Sequence, residues 1–306
     1  MRITNNMLSS QLMLNLNRNA ERMNTTQEQL ATGRKINRPS DDPVGITYSL
    51  RYRSELSSNE QYQKNVDSAV SWLDYSDTVL GQANDVMQRL RELTVQASTD
   101  TNPQSALDSI NKEIGQLREQ MVDIGNSQLN GKYIFNGQTY DIKPYDFPMN
   151  ADGTHNITGA TLKETDTGYV NFSVGDSVVL PINQTGNEVF GNKTDSDNIF
   201  VIFDKITTAL SAGKTADVGA QLEQIDSRIE KILKSRSEVG AKSNRVELMQ
   251  SRLGDMETNL TSLQSKTEDA DYAELIMQSK IQENIYNASL SAGSKIIQPS
   301  LVDFLR

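Results

Sequence analysis

The 306-residue sequence contains no cysteine, one histidine and one tryptophan. Without thiols it has no disulfide, no cysteine nucleophile and no zinc–thiolate site. Aromatic residues make up only 6% of the chain and hydrophobic residues 36%. Such a composition is lean for a compact globular core and typical of long amphipathic helices. The sequence therefore favours an elongated, mainly helical protein.

Charge and hydropathy exclude further classes of protein. The formal net charge is −10 and the pI is about 4.8, so we expect no nucleic acid among the partners. No apolar run approaches the roughly 20 residues of a membrane span, so we expect no membrane insertion. The N-terminus lacks a compact apolar stretch followed by small residues, and we expect no cleaved signal peptide.

Residues that catalysis would require are scarce. The single histidine, His155, lies in a turn-rich stretch, and we expect it on the surface. Asp41 and Asp42 are adjacent, but neighbouring side chains do not converge for acid–base chemistry, so helix capping explains them better. Neither a phosphate-binding glycine loop nor a GxSxG motif occurs. We therefore expect no enzymatic activity, no metal site and no cofactor.

The strongest positive pattern lies near the C-terminal end, where apolar residues recur every seven positions. This line consists of Ile225, Ile232, Val239, Val246, Leu253 and Leu260. A second line beside it consists of Leu222, Ile229, Met249, Met256 and Leu263. The spacing is that of a coiled-coil seam and predicts one helix over about 214–265, roughly 75 Å long. A helix of that length needs other helices to pack against.

Three helices with apolar faces are predicted in the first half of the chain. The first helix ends at Gly33, and a proline-bearing turn follows in which Asp42 caps the second helix, with Pro43 at its first position. The second helix carries a broad apolar face and is expected to loosen near residues 57–59. A third begins with a cap and proline at Asn102 and Pro103.

The composition changes at about residue 130. Residues 131–197 hold eight of the 18 glycines and several short β-branched or aromatic runs. Strands are predicted at 133–136, 158–162, 169–174 and 177–182. A short helix over 199–210, capped by Asp197 or Asn198, leads into the long helix. After the heptads end, Asp271 and Glu274 resemble a capping box for a last helix, although a continuous helix fits as well.

The two terminal helices share one character. Residues 3–17 and 284–294 carry no charge, and each helix has only a thin apolar edge. Burying such side chains contributes at most about 1.5–3 kcal/mol each. Ordering the backbone costs about 1–2 kcal/mol per residue. Both helices are therefore marginal alone and need a partner.

Four runs of residues, in this order, resemble the flagellin superfamily. They are 29–45 (QLATGRKINRPSDDPVG), 87–97 (MQRLRELTVQA), 237–248 (SEVGAKSNRVEL) and 268–306, which begins EDADY. Within the superfamily the turn resembles the branch of hook-associated protein 3, at the hook–filament junction, because flagellins usually have no prolines there. The resemblance implies an elongated antiparallel helical bundle, built from the N- and C-terminal halves, with a small β-rich insertion.

The resemblance also implies a division into domains. Residues 1–40 with 266–306 would form a terminal coiled-coil assembly domain, 41–140 with 198–265 a helical rod domain, and 141–197 an outward β-rich insertion domain. The inter-domain turn would consist of Arg38, Pro39, Asp41, Asp42 and Pro43. The assembly interface would consist of Leu8, Leu12, Leu16, Met23, Leu30, Ile281, Ile285, Ala292, Ile296, Phe304 and Leu305.

The function implied by the resemblance is that of an extracellular structural protein joining the flagellar hook to the filament. Its partners would be copies of itself, hook-associated protein 1, flagellin and a cytosolic export chaperone that binds the C-terminal helix. Export would use the flagellar type III apparatus. The alternative is flagellin itself, the filament subunit. A secreted enzyme would need a convergent polar site in 141–197, which the sequence does not show, and a membrane-inserting type III translocator would need an apolar span, which it lacks.

Overall fold

A computed structural model describes residues 5–99, 102–149, 155–156 and 164–296. These ranges contain eight helices and four short strands. In chain order they are α1 (Asn5–Thr32), α2 (Pro43–Ala97), α3 (Gln104–Gly125), β1 (Gln128–Leu129), β2 (Lys132–Tyr133), β3 (Asn171–Gly175), β4 (Val178–Pro181), α4 (Gly186–Phe190), α5 (Ile199–Ser211), α6 (Thr215–Gly219), α7 (Leu222–Glu268) and α8 (Tyr272–Ile296). The prediction of a mainly α fold with a small β-rich part is confirmed.

The chain forms two compact units. Unit 1 comprises Met1–Asn59 and Asp255–Arg306, and unit 2 comprises Glu60–Gly254. The long helices α2 and α7 contribute residues to both units. The division into three domains, with 141–197 as a domain of its own, stays a prediction. Within the described ranges, no helix combines the length and the apolar character that crossing a membrane requires.

The core of unit 2 is built from the apolar lines of α2 and α7. On α2, the predicted line of Val66, Leu73, Leu80 and Met87 is completely buried. Small residues on a neighbouring line, such as Ala83, are also completely buried and allow helices to approach closely. The heptad line of α7 is buried from Ile225 to Leu260, Leu260 being in unit 1. The second line is less buried, because Met256 and Leu263 in unit 1 are each 43% exposed.

Five aromatic side chains join the segment between α3 and α5 to this core. Their ring centroids lie 4.9 to 6.2 Å apart, and the members are Phe135, Tyr145, Phe147, Phe190 and Phe200. The Tyr145 ring packs directly against Gly125 and Gly186, where an added Cβ would lie 2.6 Å from its atoms. Part of the predicted insertion is therefore part of the unit 2 core.

The strands are fewer and shorter than predicted. β3 and β4 form an antiparallel pair with a bulge and confirm the strands expected at 169–174 and 177–182. Of the strand expected at 133–136, only Tyr133 pairs, in the β1–β2 hairpin. Asn130 and Gly131 connect that hairpin with φ angles of 52° and 77°, values that suit a tight two-residue turn. The strand expected at 158–162 lies outside the described residues.

Three helix predictions need correction. α2 is continuous through residues 57–59, because no proline or glycine interrupts it there. The helix predicted over 214–265 is broken near Ala220 into α6 and α7. α3 has Pro103 itself at the N-cap position, without a side-chain cap.

The N-cap residues predicted for α5 and α8 are confirmed. Asn198, rather than Asp197, caps α5 by accepting hydrogen bonds from the backbone amides of Phe200 (3.0 Å) and Val201 (3.4 Å). Asp271 accepts from the amides of Ala273 and Glu274 and starts α8 as a separate helix.

Candidate assembly interface

The terminal helices α1 and α8 form an antiparallel pair within unit 1. At one end, the amide of Ala270 donates to the carbonyl of Gly33 over 3.1 Å. At the other end, Leu12 lies against Gly293, where an added Cβ would be 2.7 Å from the Leu12 Cδ2 atom. The residues of α1 on the paired side follow helical spacing. They are Leu12, Leu16, Met23 and Leu30, all half-buried, and Thr26, which is buried.

The side of α8 that pairs with α1 is mostly polar. Its less exposed residues are Leu275, Gln278, Ser279, Gln282, Tyr286, Ser289 and Gly293. The apolar edge of α8, which we define as Met277, Ile281, Ile285, Ala288 and Ala292, is exposed. At about 100° per residue, this edge points about 120° away from the paired side. Ile281, Ile285 and Ala292 therefore do not face α1 of the same chain, which leaves a neighbouring copy as their predicted partner.

The remaining predicted interface residues are only partly described. Leu8 and Ile296 belong to α1 and α8, whereas Phe304 and Leu305 lie outside the described residues. That the apolar edge of α8 faces a neighbouring copy stays a prediction. Two exposed residues of α1, Met7 at 64% and Leu14 at 51%, were not predicted as interface residues. They lie one heptad apart, a signal in the sequence that could have been used.

The turn between α1 and α2 is ordered by its two aspartates. The Asp41 carboxylate accepts hydrogen bonds from the amides of Asn37 (3.0 Å) and Arg38 (2.8 Å). These backbone hydrogen bonds, that of Arg38 first, lower the pKa of the Asp41 carboxyl. Asp42 caps α2 by accepting from the amides of Val44 and Gly45, which confirms the predicted cap. Pro43 is the first helical residue, and Arg38 and Pro39 are exposed. That the turn separates two domains stays a prediction.

The sequence reasoning missed a buried carboxylate beside this turn. Glu268, the last residue of α7, is 1% exposed. Its carboxylate accepts from Arg53 Nε over 2.8 Å and from the hydroxyl of the buried Ser49. Arg34 Nε lies 3.6 Å away. Burial raises the pKa of the Glu268 carboxyl, but the hydrogen bonds from Arg53 and Ser49 outweigh it and the pKa is lowered. We call these four residues the Glu268 junction.

A second buried ion pair, also missed, stabilises unit 2. Arg228 is completely buried, and its Nη2 lies 2.6 Å from the Asp197 Oδ1 atom. Its guanidinium also donates to the carbonyls of Asp197, Glu188 and Val189. Lys231 adds a second cation 2.8 Å from Asp197. The sequence gives no signal that distinguishes a buried arginine on a heptad helix from an exposed one.

His155 is not on the surface as predicted. Its side chain is 11% exposed, and its ring Nδ1 and backbone amide both contact the carboxylate of Glu119 on α3. Glu119 also pairs with Arg118 over 2.8 Å. In the described part of the chain, no group of three or more His, Asp or Glu residues could hold a metal ion.

The fold and the terminal pair define a class of protein. Long helices from both halves of the chain share one core, and the N- and C-terminal helices pair with an apolar edge left exposed. Residues 3–139 match the bacterial flagellin N-terminal helical region, and residues 222–305 match the bacterial flagellin C-terminal helical region. The chain belongs to the flagellin family.

Its relatives include both flagellins and hook-associated proteins. Flagellin of Bacillus subtilis (strain 168) is 28% identical, over 89% of this chain and 88% of its own. Flagellar hook-associated protein 3 of Salmonella typhimurium (strain LT2) is 24% identical, over 95% of this chain and 91% of its own. The crystal structure of flagellar hook-associated protein-3 from Legionella pneumophila covers 70% of this chain and 97% of its own, at 17% identity and a TM-score of 0.60. The last likeness is one of fold.

Proposed function

We propose that the protein is a structural component of the bacterial flagellum that joins the hook, through another hook-associated protein, to the filament. The observation that carries this proposal is the exposed apolar edge of α8 on a terminal helix pair of the flagellin family. Likeness to hook-associated protein 3 over 95% of the chain supports the junction role, as do the prolines at 39 and 43.

The exposed edge leaves free energy to be gained on assembly. Met277, Ile281 and Ile285 are 58%, 49% and 46% exposed. Full burial of such a side chain contributes about 1.5–3 kcal/mol, so roughly half of that is still available at each position. Residues 284–294, which contain Ile285, Ala288 and Ala292 of this edge, carry no charge while the chain carries −10, so like-charged copies would meet there with little repulsion.

The proposed partners follow from this role. They are copies of the protein itself, hook-associated protein 1 and flagellin in the assembled flagellum, outside the cell. Before export, a cytosolic chaperone would cover the apolar edge of α8. Export would proceed without a cleaved signal peptide. The terminal helices would gain their full order only on assembly, when the edge becomes buried.

The test is assembly in a deletion strain and on purified filament seeds. We expect the wild-type gene to restore filament attachment and the purified protein not to elongate seeds, as seen by negative-stain electron microscopy. Ile285→Asp should abolish attachment, because a charge would be placed in the buried contact. Leu233→Asp is the matched control, since Leu233 on α7 is equally exposed, at 46%, but lies in unit 2.

Each outcome decides between functions. Long filaments of this protein alone would make it a flagellin and would show that the proline-bearing turn does not mark the junction branch. Normal attachment with Ile285→Asp would refute the role of the apolar edge. A defect with Leu233→Asp as severe as that with Ile285→Asp would assign both effects to a general loss of solubility.

A further inference from the structure

Two Asn-Gly pairs, Asn130-Gly131 and Asn136-Gly137, lie close together in unit 2. An asparagine followed by glycine is prone to lose its side-chain amide, because glycine has no Cβ to shield the backbone nitrogen that attacks it. Both glycines have a positive φ, 77° for Gly131 and 52° for Gly137. From sequence alone the two pairs are equally reactive, so any difference between them comes from the fold.

The first pair is exposed at the tip of the β1–β2 hairpin. Leu129 pairs with Lys132, so that Asn130 and Gly131 alone form the turn, and both residues are exposed. Within the described residues, neither the Asn130 side chain nor the Gly131 amide has a hydrogen-bond partner. A Cβ added at Gly131 would have no atom within 4 Å. The Asn130 side chain is therefore free to rotate and open to water.

The second pair is held by the surrounding chain. Asn136 is 6% exposed, and its side-chain nitrogen donates to the carbonyls of Thr139 (3.0 Å) and Ile142 (2.9 Å). Its side-chain oxygen accepts from the amide of Asp166 over 3.1 Å. A Cβ added at Gly137 would lie 2.5 Å from the Asp166 carbonyl oxygen. Reaction at Asn136 would require three hydrogen bonds to break and water to enter a buried site.

We propose that Asn130 is a site of spontaneous deamidation and that Asn136 is protected from the same reaction by the fold. The Gly131 amide nitrogen loses its proton to hydroxide and attacks the Asn130 Cγ atom. A nitrogen–carbon bond forms, the Cγ–Nδ2 bond breaks, and Nδ2 leaves as ammonia after taking a proton from water. Water then opens the resulting five-membered ring at either carbonyl and yields aspartate or isoaspartate. The reaction needs only hydroxide and water, so this inference does not rest on the proposed function.

The two products affect the hairpin differently. Aspartate adds one negative charge but keeps the backbone, and it tolerates the left-handed conformation that Asn130 adopts, with its φ of 52°. Isoaspartate carries the main chain through the former side chain and so inserts an extra carbon atom. A two-residue turn between the paired Leu129 and Lys132 cannot absorb that atom. Asn130 and Lys132 line the same surface cleft as Trp72, so a displaced hairpin changes the surroundings of the indole.

The test follows amide loss at both positions in the full-length protein. Wild-type protein is kept at mildly alkaline pH, either folded or unfolded in guanidinium chloride, and samples are digested with trypsin at intervals. Cleavage after Lys132 places the two asparagines in different peptides. Mass spectrometry with fragmentation of each peptide locates the modified residue and measures its rate. Asn136 is the matched control within the same chain, and the unfolded protein provides the intrinsic rates.

We expect Asn130 to react at least about tenfold faster than Asn136 in the folded protein, because Asn136 reacts only during local opening. In guanidinium chloride the two rates should be similar. Equal rates in the folded protein, or no amide loss at Asn130, would overturn the inference. A difference that persists unchanged in guanidinium chloride would overturn it as well, because the cause would then be the local sequence and not the fold.

A second measurement tests the effect on the hairpin. The isoaspartate form is separated by chromatography, and its Trp72 fluorescence is compared with that of fresh wild type and of Asn130→Asp. We expect Asn130→Asp to match the wild type, because it carries the charge on an ordinary backbone, and the isoaspartate form to differ from both. Identical fluorescence of all three forms would refute the opening of the turn.

Discussion

The buried Arg228 makes the sharpest prediction about stability. Replacing it with methionine keeps most of the side-chain volume but removes every cation–carboxylate contact that Arg228 makes. Asp197, whose side chain is 5% exposed, would keep only Lys231 and the Ser227 hydroxyl as side-chain partners. Three backbone carbonyls would lose the guanidinium donor as well. Breaking one side of a buried pair typically costs about 3–5 kcal/mol, and we expect Arg228→Met to fall in that range.

The same helix provides a matched control for this prediction. Arg236 on α7 pairs with Asp77 through two hydrogen bonds of 3.0 Å each, but the side chains are 35% and 46% exposed. Exposed pairs contribute about 0–1 kcal/mol, because water and salt screen them. Urea unfolding compares Arg228→Met with Arg236→Met. The transition is monitored by the fluorescence of Trp72, the single tryptophan of the sequence, which is buried in unit 2. We expect a much lower midpoint for the first variant, with a similar dependence on urea concentration.

Equal effects of the two variants would refute the reasoning. The buried Arg228–Asp197 pair would then contribute no more to the free energy of unfolding than the exposed Arg236–Asp77 pair, and the hydrogen bonds from Arg228 to backbone carbonyls would be unimportant. A further variant separates the cost of an unpaired charge from the loss of packing. Arg228→Met combined with Asp197→Leu removes both charges, and it should recover most of the stability that the single substitution loses. No recovery would assign the loss to packing and to the three backbone carbonyls left without the guanidinium donor.

The remaining predictions concern local geometry and pH. Gly191→Ala should destabilise unit 2 by more than about 1 kcal/mol, because the φ of Gly191 is +104° and an added Cβ would lie 2.7 Å from the Asn198 Cα atom. Gly240→Ala should instead stabilise the protein by about 0.5–1 kcal/mol, because Gly240 lies within α7 and an added Cβ would enter open space. Urea unfolding measures both effects. Asn198→Ala should cost about 0.5–2 kcal/mol through loss of the α5 cap, in the same assay. The pKa of the Glu268 carboxyl is lower in the folded protein than in the unfolded chain, where it is about 4.3. The ionised carboxylate therefore stabilises the folded state at pH values above about 4.3, and this contribution is lost as the pH falls through the pKa of the folded state. Thermal unfolding should therefore separate wild type from Glu268→Gln at pH 7, and the difference should shrink below about pH 4; a constant difference would contradict this assignment.

Sequence periodicity predicted the helices well because burial of one helical face leaves a regular pattern. The lines through Val66 and Leu73 on α2 and through Ile225 and Ile232 on α7 are buried as expected. Caps at Asp42 and Asn198 were also predictable, because capping depends on a few neighbouring residues. The break between α6 and α7 was not predictable from the sequence, since no proline or strong capping residue marks it.

The candidate site was harder to predict because periodicity cannot say which of two faces a partner covers. α8 has one apolar edge and one polar side, and the sequence left open whether the apolar edge faces α1 or a neighbouring copy. Glu268 and Arg228 were missed for a different reason. Their burial depends on Ser49, Arg53 and Asp197, residues distant in sequence, and a charged residue near a heptad line is usually solvated.

The polar seam between α1 and α8 has a consequence for when the terminal helices become stable. Were the apolar edge of α8 packed against α1, the single chain would bury its own apolar surface and leave only polar surface for partners. In the observed arrangement Ile281 and Ile285 stay about half exposed, while the side of α8 that contacts α1 consists mostly of glutamine and serine. Under the proposed function, most of the hydrophobic stabilisation of α8 would come from a second chain, and it would rise with the concentration of assembled partners. The terminal pair would then become rigid at the growing structure, where a second chain covers the apolar edge of α8.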